Sequence, residues 1–272
     1  MMQILQRILF LALLFSCCHS AFAQELFVYT EPASNMPAKS VGLRVTNSFM
    51  KDIKKNSINY HLLPEIMWGV NKNLMVHAEG FFSNRNNSLV AEGGSFYAKY
   101  RFLSIDNVHS HFRMAGYGRA SFNNSDIHQD EIETNAHNSG YEAGLVATQL
   151  LHKVALSASA SFEKAMDNNS YKFPDFQPNS AINYTLSVGK LMLPKEYVSY
   201  KQTNVNLMVE MLGQQLRNDG KYFIDIAPSV QFIFNSQTRL DIGYRHQLKS
   251  TMHRTAPNGL MLRFEHLLFN AL

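Results

Sequence analysis

Cysteine is almost absent from this chain of 272 residues. The only two, Cys17 and Cys18, stand near its start, which excludes disulfides and cysteine-built metal sites everywhere after them. Past the amino terminus no run approaches the roughly 18 uninterrupted apolar residues of a spanning helix, so a helical membrane protein is excluded as well. Charge of one sign is scarce: 25 Lys and Arg against 21 Asp and Glu are too evenly matched for a nucleic-acid surface. A glycine-rich phosphate loop, a nucleophile elbow and a zinc-protease histidine pair are all missing, so little points to catalysis. What the chain does have is 46% hydrophobic against 17% charged residues, which rules out a disordered tail or a coiled coil.

Residues 1–23 read as an export signal. Arg7 supplies a basic start, residues 8–15 (ILFLALLF) an apolar stretch too short to span, and Ala21-Phe22-Ala23 a small-x-small cleavage site before Gln24. A competing reading takes Leu14-Phe15-Ser16-Cys17 as a lipobox with Cys17 lipidated, but Phe15 fits that pattern poorly. Cleavage after Ala23 leaves 249 residues with 24 basic and 21 acidic side chains and no thiol. Residues 24–39 are expected to form a periplasmic amino-terminal segment, and 40–272 a single domain.

The strongest pattern in that domain is alternation with period two. In 239–248 (RLDIGYRHQL), Leu240, Ile242 and Tyr244 alternate with Asp241, Gly243 and Arg245, giving one apolar and one polar face. The same reading holds for 41–49, 74–82, 96–102, 112–122, 141–150, 156–162, 182–188, 205–212, 224–234 and 260–268. With 58–68, less regular around Pro64, this predicts twelve strands. Connections after odd strands are mostly long and polar, as in 83–93, 123–137 and 163–179. Those after even strands are mostly tight: 70–73, 151–153 and 235–238. An even strand number with long connections on one side predicts an antiparallel transmembrane β-barrel with both termini periplasmic. A soluble barrel has the same alternation with the faces exchanged. Export, the lack of cysteine and an aromatic set suited to a membrane interface (Trp68, Tyr60, Tyr100, Tyr117, Phe122, Tyr244, Phe269) favour the membrane form.

The less apolar strand faces then line a lumen. They carry Arg44, Lys99, Arg101, Arg113, Arg119, Arg245 and Arg263 against Glu79, Glu142, Glu163, Glu210, Asp225, Asp241 and Glu265. This balance argues against strong ion selectivity and for a ladder of cross-strand pairs. The residues expected along a solute path are Arg44, Glu79, Arg101, Arg113, Glu142, Glu210, Asp241 and Arg263. Asn204, Asn206, Ser229 and Gln231 would line the same narrow polar passage.

Two motifs touch on chemistry. His137 and Ser139 share a strand face, vaguely as in outer-membrane phospholipases, but nothing nearby identifies an orienting group or an oxyanion donor, and loop composition explains them. His109 and His111 stand at strand spacing and read as exposed turn histidines rather than metal ligands.

Residues 62–80 (LLPEIMWGVNKNLMVHAEG), with Trp-Gly before a short polar turn, resemble a hairpin of the transporter-like outer-membrane barrels related to the meta-pathway of phenol degradation. Residues 99–112 (KYRFLSIDNVHSHF), 193–213 (LPKEYVSYKQTNVNLMVEMLG) and 225–234 (DIAPSVQFIF) resemble outer-membrane barrels of Bacteroidota. The resemblance implies passage of a small molecule and carries no catalytic or binding residues with it. The resulting expectation is a passive channel without cofactor or enzymatic activity. Its partners would be outer-membrane lipids, the barrel-assembly machinery and an unidentified solute, with no nucleic acid. The alternatives are a structural or surface-binding barrel closed by its own salt bridges and, more remotely, a lipid hydrolase.

Overall fold

The structure is a computed structural model that describes residues 27–272 except 86, 87, 109, 197, 198 and 200. The export signal, the lipobox at Cys17 and His109 lie outside the described residues. Twelve strands and no helix are described: β1 (Ser40–Lys51), β2 (Ile58–Gly69), β3 (Leu74–Ser83), β4 (Val90–Asp106), β5 (Ser110–Asn123), β6 (Gly140–Leu151), β7 (Val154–Ala165), β8 (Ser180–Leu193), β9 (Asn204–Leu216), β10 (Tyr222–Phe234), β11 (Thr238–Ser250) and β12 (Asn258–Leu268). Each pairs antiparallel with its neighbour in sequence, and β1 pairs with β12 from Val41↔Leu268 to Lys51↔Asn258, closing the sheet into a barrel. Every strand expected from alternation is present. β4 starts earlier than expected, at Val90, so part of the expected 83–93 connection is strand.

The start of β1 and the end of β12 share one end of the barrel with the tight turns, hereafter the turn end; the loop end is opposite. Between β10 and β11, Asn235 and Ser236 both have positive φ, 51° and 56°. That is the backbone of a two-residue turn whose twist matches the strands it joins. At the turn end only the connection 194–203 is long.

Strand alternation sorts the side chains by polarity. Leu43, Ile66, Phe96, Phe102, Leu145, Leu186, Leu207 and Phe264 stand exposed on the outer wall, while Arg44, Lys99, Glu163, Glu210, Asp225 and Glu265 are buried inside. Leu240 and Ile242 share the outer wall with Tyr244, and the intervening Asp241 is buried. A soluble barrel has the opposite sorting. Two prolines sit within strands without breaking them. Pro64 faces Val45 of β1 and is skipped by the ladder to β3, and Pro228 faces Val209 of β9 and is skipped by the ladder to β11. A residue without an N–H fits a sheet where no bond is asked of it.

Of the expected interfacial aromatics, Trp68, Tyr100, Phe122, Tyr244 and Phe269 are exposed, and Tyr60 packs on Phe49 with ring centroids 5.1 Å apart. Tyr117 is a correction: its ring faces inward against Tyr97, and its hydroxyl donates to Glu142 at 3.1 Å. Its neighbours on the opposite face are Gly116 and Gly118, so no apolar side chain there marked which face was the greasy one.

Leu186 stands on the outer wall near the middle of β8. Leu186→Arg is therefore expected to destabilise the barrel by ~2–4 kcal/mol in lipid. Reversible urea unfolding in vesicles measures this, and an unchanged midpoint would count against a lipid-facing wall.

Candidate functional site

The lumen is occupied from both ends by chain that belongs to no strand. From the turn end, residues 27–38 run up inside the barrel. Pro32 and Pro37 bias this stretch to an extended form, and it pairs with no strand, so its main-chain groups need side-chain partners. Glu210, buried in mid-β9, accepts the N–H groups of Val28, Tyr29 and Thr30, each at 2.9 Å, and the Thr30 hydroxyl at 2.7 Å. Arg263 donates to the Val28 carbonyl at 2.6 Å, and Lys99, fully buried, donates to those of Pro32 at 2.6 Å and Ser34 at 2.9 Å. Thr148 accepts the Ala33 N–H at 2.9 Å, and Arg113 donates to the Ser34 hydroxyl at 3.0 Å.

The same segment brings in Glu31, which lies 3.0 Å from Arg44 and 3.4 Å from Lys99. Burial alone would raise the Glu31 carboxyl, but Lys99, Arg44 and His77 hold it well below the ordinary range. Small apolar contacts complete the fit. Phe27 and Val28 pack with Ala155, Met208 and Met261, and Met36 packs with Met67, Met75 and Tyr97. Two glycines make room: a Cβ on Gly69 would come within 2.1 Å of the Pro37 carbonyl oxygen, and one on Gly243 within 2.7 Å of the Tyr29 ring.

From the loop end, the β5–β6 connection 124–139 folds inward. Glu131 meets Arg254 at 2.7 Å and Arg245 at 2.9 Å, and Asp225 meets the same two arginines at 2.8 and 2.6 Å. Arg254, from the β11–β12 connection, also stacks over Phe223 with its guanidinium carbon 3.9 Å from the ring centre. Gln214 holds both main-chain groups of Ile132, and Glu163 accepts the N–H and hydroxyl of Thr134. Asn135 accepts a hydrogen bond from Arg119.

The connection's carboxyls are driven apart by their surroundings. Burial would raise Glu131, yet Arg254 and Arg245 hold it down at about 2, whereas burial and then the charge of Glu131 push Glu133 up to about 7. Burial, then the charge of His128, lowers His137 to about 4, although it lies 3.2 Å from Glu133.

The expected lumen residues are all accounted for. Arg44 joins Glu265, Glu31 and Glu65 at 2.7, 3.0 and 3.1 Å. Glu79 pairs with Arg119 at 3.1 Å. Glu142 accepts from Tyr117 and Ser161. Asp241 lies 3.2 Å from Arg239, and Arg263 also reaches Thr46. Arg101 and Arg113 sit at the turn end, where Arg101 holds the Lys72 carbonyl at 2.6 Å and Arg113 pairs with Asp106 at 3.0 Å.

The expected cross-strand ladder is only partly present. Glu65 stands opposite Glu79 and Glu142 opposite Glu163, like charges face to face. Partners from other strands and from the inserted connection relieve them: Arg44 and His77 for Glu65, Arg119 for Glu79, and Thr134 and Asn183 for Glu163. Residues 27–38, part of the segment 24–39 expected to be periplasmic, run through the barrel's interior. Ser139 and His137 have separate engagements. The Ser139 hydroxyl exchanges hydrogen bonds with the main chain of Asn123, and His137 packs against His61 at 4.7 Å. His111 pairs with Asp106 at 2.7 Å.

No family model matches the chain, and no curated protein does. Solved structures do. An outer-membrane channel from Pseudomonas putida F1 superposes with a TM-score of 0.57 at 11% identity, over 89% of this chain and all of that one. The closed antiparallel barrel is a fold that this chain shares with that solved channel. The porins KdgM and NanC align at TM-scores of 0.47 with 8% and 9% identity, over 83% and 84% of this chain and 98% of each of theirs. Within this barrel, residues 27–38 and 124–139 occupy the interior.

Proposed function

We propose that the chain is a passive outer-membrane channel for a small molecule, with a lumen throttled by residues 27–38 from the turn end and 124–139 from the loop end. The observation that carries this reading is the inverted sorting of side chains: an apolar outer wall around an ionised interior is what a polar passage through hydrocarbon requires. In this reading the turn end faces the periplasm, residues 1–23 are removed on export, and the solute passes Arg44, Glu79, Glu142, Glu210, Asp241 and Arg263, with Arg101 and Arg113 at the periplasmic mouth. Its lumen charges are compensated, so flow would be weakly selective between anions and cations. Both inserted segments are held by hydrogen bonds, ion pairs and small apolar contacts, all reversible.

One observation favours a second reading. The clusters around Arg44 and around Arg254 bind the inserted segments to the wall with multiple ion pairs, as in a barrel whose interior is only structural. Planar-bilayer recording decides between the two. The channel reading expects discrete conductance steps from purified protein whose folding is verified by heat-modifiable migration. Folded protein that gives none at all would leave the structural barrel standing.

A further inference from the structure

At the loop end the apolar outer wall finishes in a short row of hydrogen-bond donors. The ladders set Tyr141 of β6 opposite Lys164 of β7, and Lys164 opposite Ser180 of β8; beyond it the Ser180 carbonyl accepts the N–H of Arg217, the residue after β9, at 2.9 Å. With neighbouring strands about 5 Å apart, the row is about 15 Å long. Its side chains point outward, because the residues that alternate with them, Glu163, Ala181 and Leu216, are buried on the inner face. Toward the middle of the wall the row stands on Phe162, Ile182, Tyr184 and Leu186. Arg217 leans back across β8, with its guanidinium carbon 5.6 Å from the centre of the Phe162 ring, so its charge is carried toward β7, the strand of Lys164.

The two cations have no carboxylate between them. Neither forms an ion pair among the described residues. Glu163 faces the lumen, Asp167 accepts the Phe173 N–H at 2.8 Å, and Asp219 lies 3.5 Å from Lys221. The connection above the row is tied inward, where Gln177 donates to the main-chain carbonyl of Gln129 at 2.7 Å, so the row stays open to the outside. Two positive charges drawn together at the edge of an apolar wall repel unless an anion joins them. A phenol, an ammonium, a hydroxyl and a guanidinium all donate, so that anion needs several acceptor oxygens. A phosphate monoester has three, with a charge of about −1.5 to −2 that matches the pair, whereas a diester carries a single charge. The apolar wall directly below calls for acyl chains on the same molecule.

We propose that Tyr141, Lys164, Ser180 and Arg217 seat the phosphate-monoester headgroup of a membrane lipid whose acyl chains lie along Ile182, Tyr184 and Leu186. The site needs a lipid-facing outer wall but no open lumen, so it is independent of conductance. Native mass spectrometry of the purified barrel in a neutral detergent, titrated with phosphatidic acid, phosphatidylglycerol and phosphatidylcholine, tests it. Phosphatidic acid is expected to bind at least tenfold more tightly than the other two. Lys164→Gln/Arg217→Gln should weaken it at least tenfold and each single substitution less, with folding checked by heat-modifiable migration. Lys190→Gln, which removes an exposed lysine near the turn end of β8, should leave it unchanged. Phosphatidic acid bound no more tightly than phosphatidylglycerol, held equally by the folded double variant, or weakened as much by Lys190→Gln, overturns the site. Displacement of phosphatidic acid by an equal concentration of inorganic phosphate would make the free anion the ligand and overturn the lipid assignment.

Discussion

Glu210→Ala is expected to raise single-channel conductance several-fold while leaving the barrel folded. The substitution removes the common acceptor of three main-chain N–H groups and the Thr30 hydroxyl, and no strand stands ready to replace it. Each buried N–H that loses its acceptor costs about 1–3 kcal/mol, so undocking residues 27–30 becomes easier by several kcal/mol. Even ~3 kcal/mol moves a docked-to-undocked ratio by about two orders of magnitude. The outer wall and strand ladders are untouched, which is why folding should survive. Thr30→Val, which removes only the hydroxyl's bonds to Glu210 and Ser187 and keeps the three main-chain ones, should have a much smaller effect. An Ala33→Cys reporter gives an independent reading: a water-soluble thiol reagent should label it faster when Glu210 is alanine. Equal conductance and equal labelling in the two backgrounds would mean that Glu210 does not hold the segment in place.

The second large effect is expected at the loop end, from Arg254→Ala. Arg254 makes two bonds to Glu131, at 2.7 and 3.1 Å, and two to Asp225, both at 2.8 Å. Its removal leaves two buried carboxylates sharing Arg245 alone, and breaking a buried pair from one side costs about 3–5 kcal/mol. Residues 124–139 should then leave the lumen. A glutamate-specific protease should cut at Glu131 or Glu133 in the variant and spare the wild type. Arg254→Lys keeps the charge but not the two-pronged geometry, and should fall between them. Acid acts on the same pair. With Glu131 held at about 2 against an ordinary 4.5, its stabilisation is fully present above pH 4.5 and is lost as pH falls toward 2. Glu133 works the other way, weakening docking as pH rises from 4.5 through its value of about 7. A connection in Arg254→Ala as resistant to the protease as that of the wild type would mean that Arg254 does not hold residues 124–139 in the lumen.

The strands were legible because the physics that selects them is periodic. Leu240, Ile242 and Tyr244 must meet one medium and Asp241 another, and only a period of two achieves that. The inserted segments were not legible because they repeat nothing. Residues 27–38, with two prolines and no periodicity, fall in the expected periplasmic segment 24–39, and 124–139 falls mostly in the expected polar connection 123–137. Arg254 stands in the β11–β12 connection, where no pattern in the sequence marks it, yet its side chain is only 1% exposed. A signal for them lies in the lumen charges themselves. Glu210 faces Ser187 and Ala227 across its two ladders, and Lys99 faces Met75 and Tyr117. Neither has an opposite charge beside it in the sheet, so each must be satisfied by chain from outside the sheet, such as residues 28–34. The like-charge pairs Glu65–Glu79 and Glu142–Glu163 carry the same message about the interior.

The seam between β1 and β12 has a bearing on how the chain is made. Arg44 and Glu265, 2.7 Å apart, are separated by 221 residues, so the arginine of β1 meets this partner only when β12 is in place. A product truncated before that strand would hold an incompletely neutralised guanidinium facing an open sheet edge. Only a chain that includes β12 can close the cylinder.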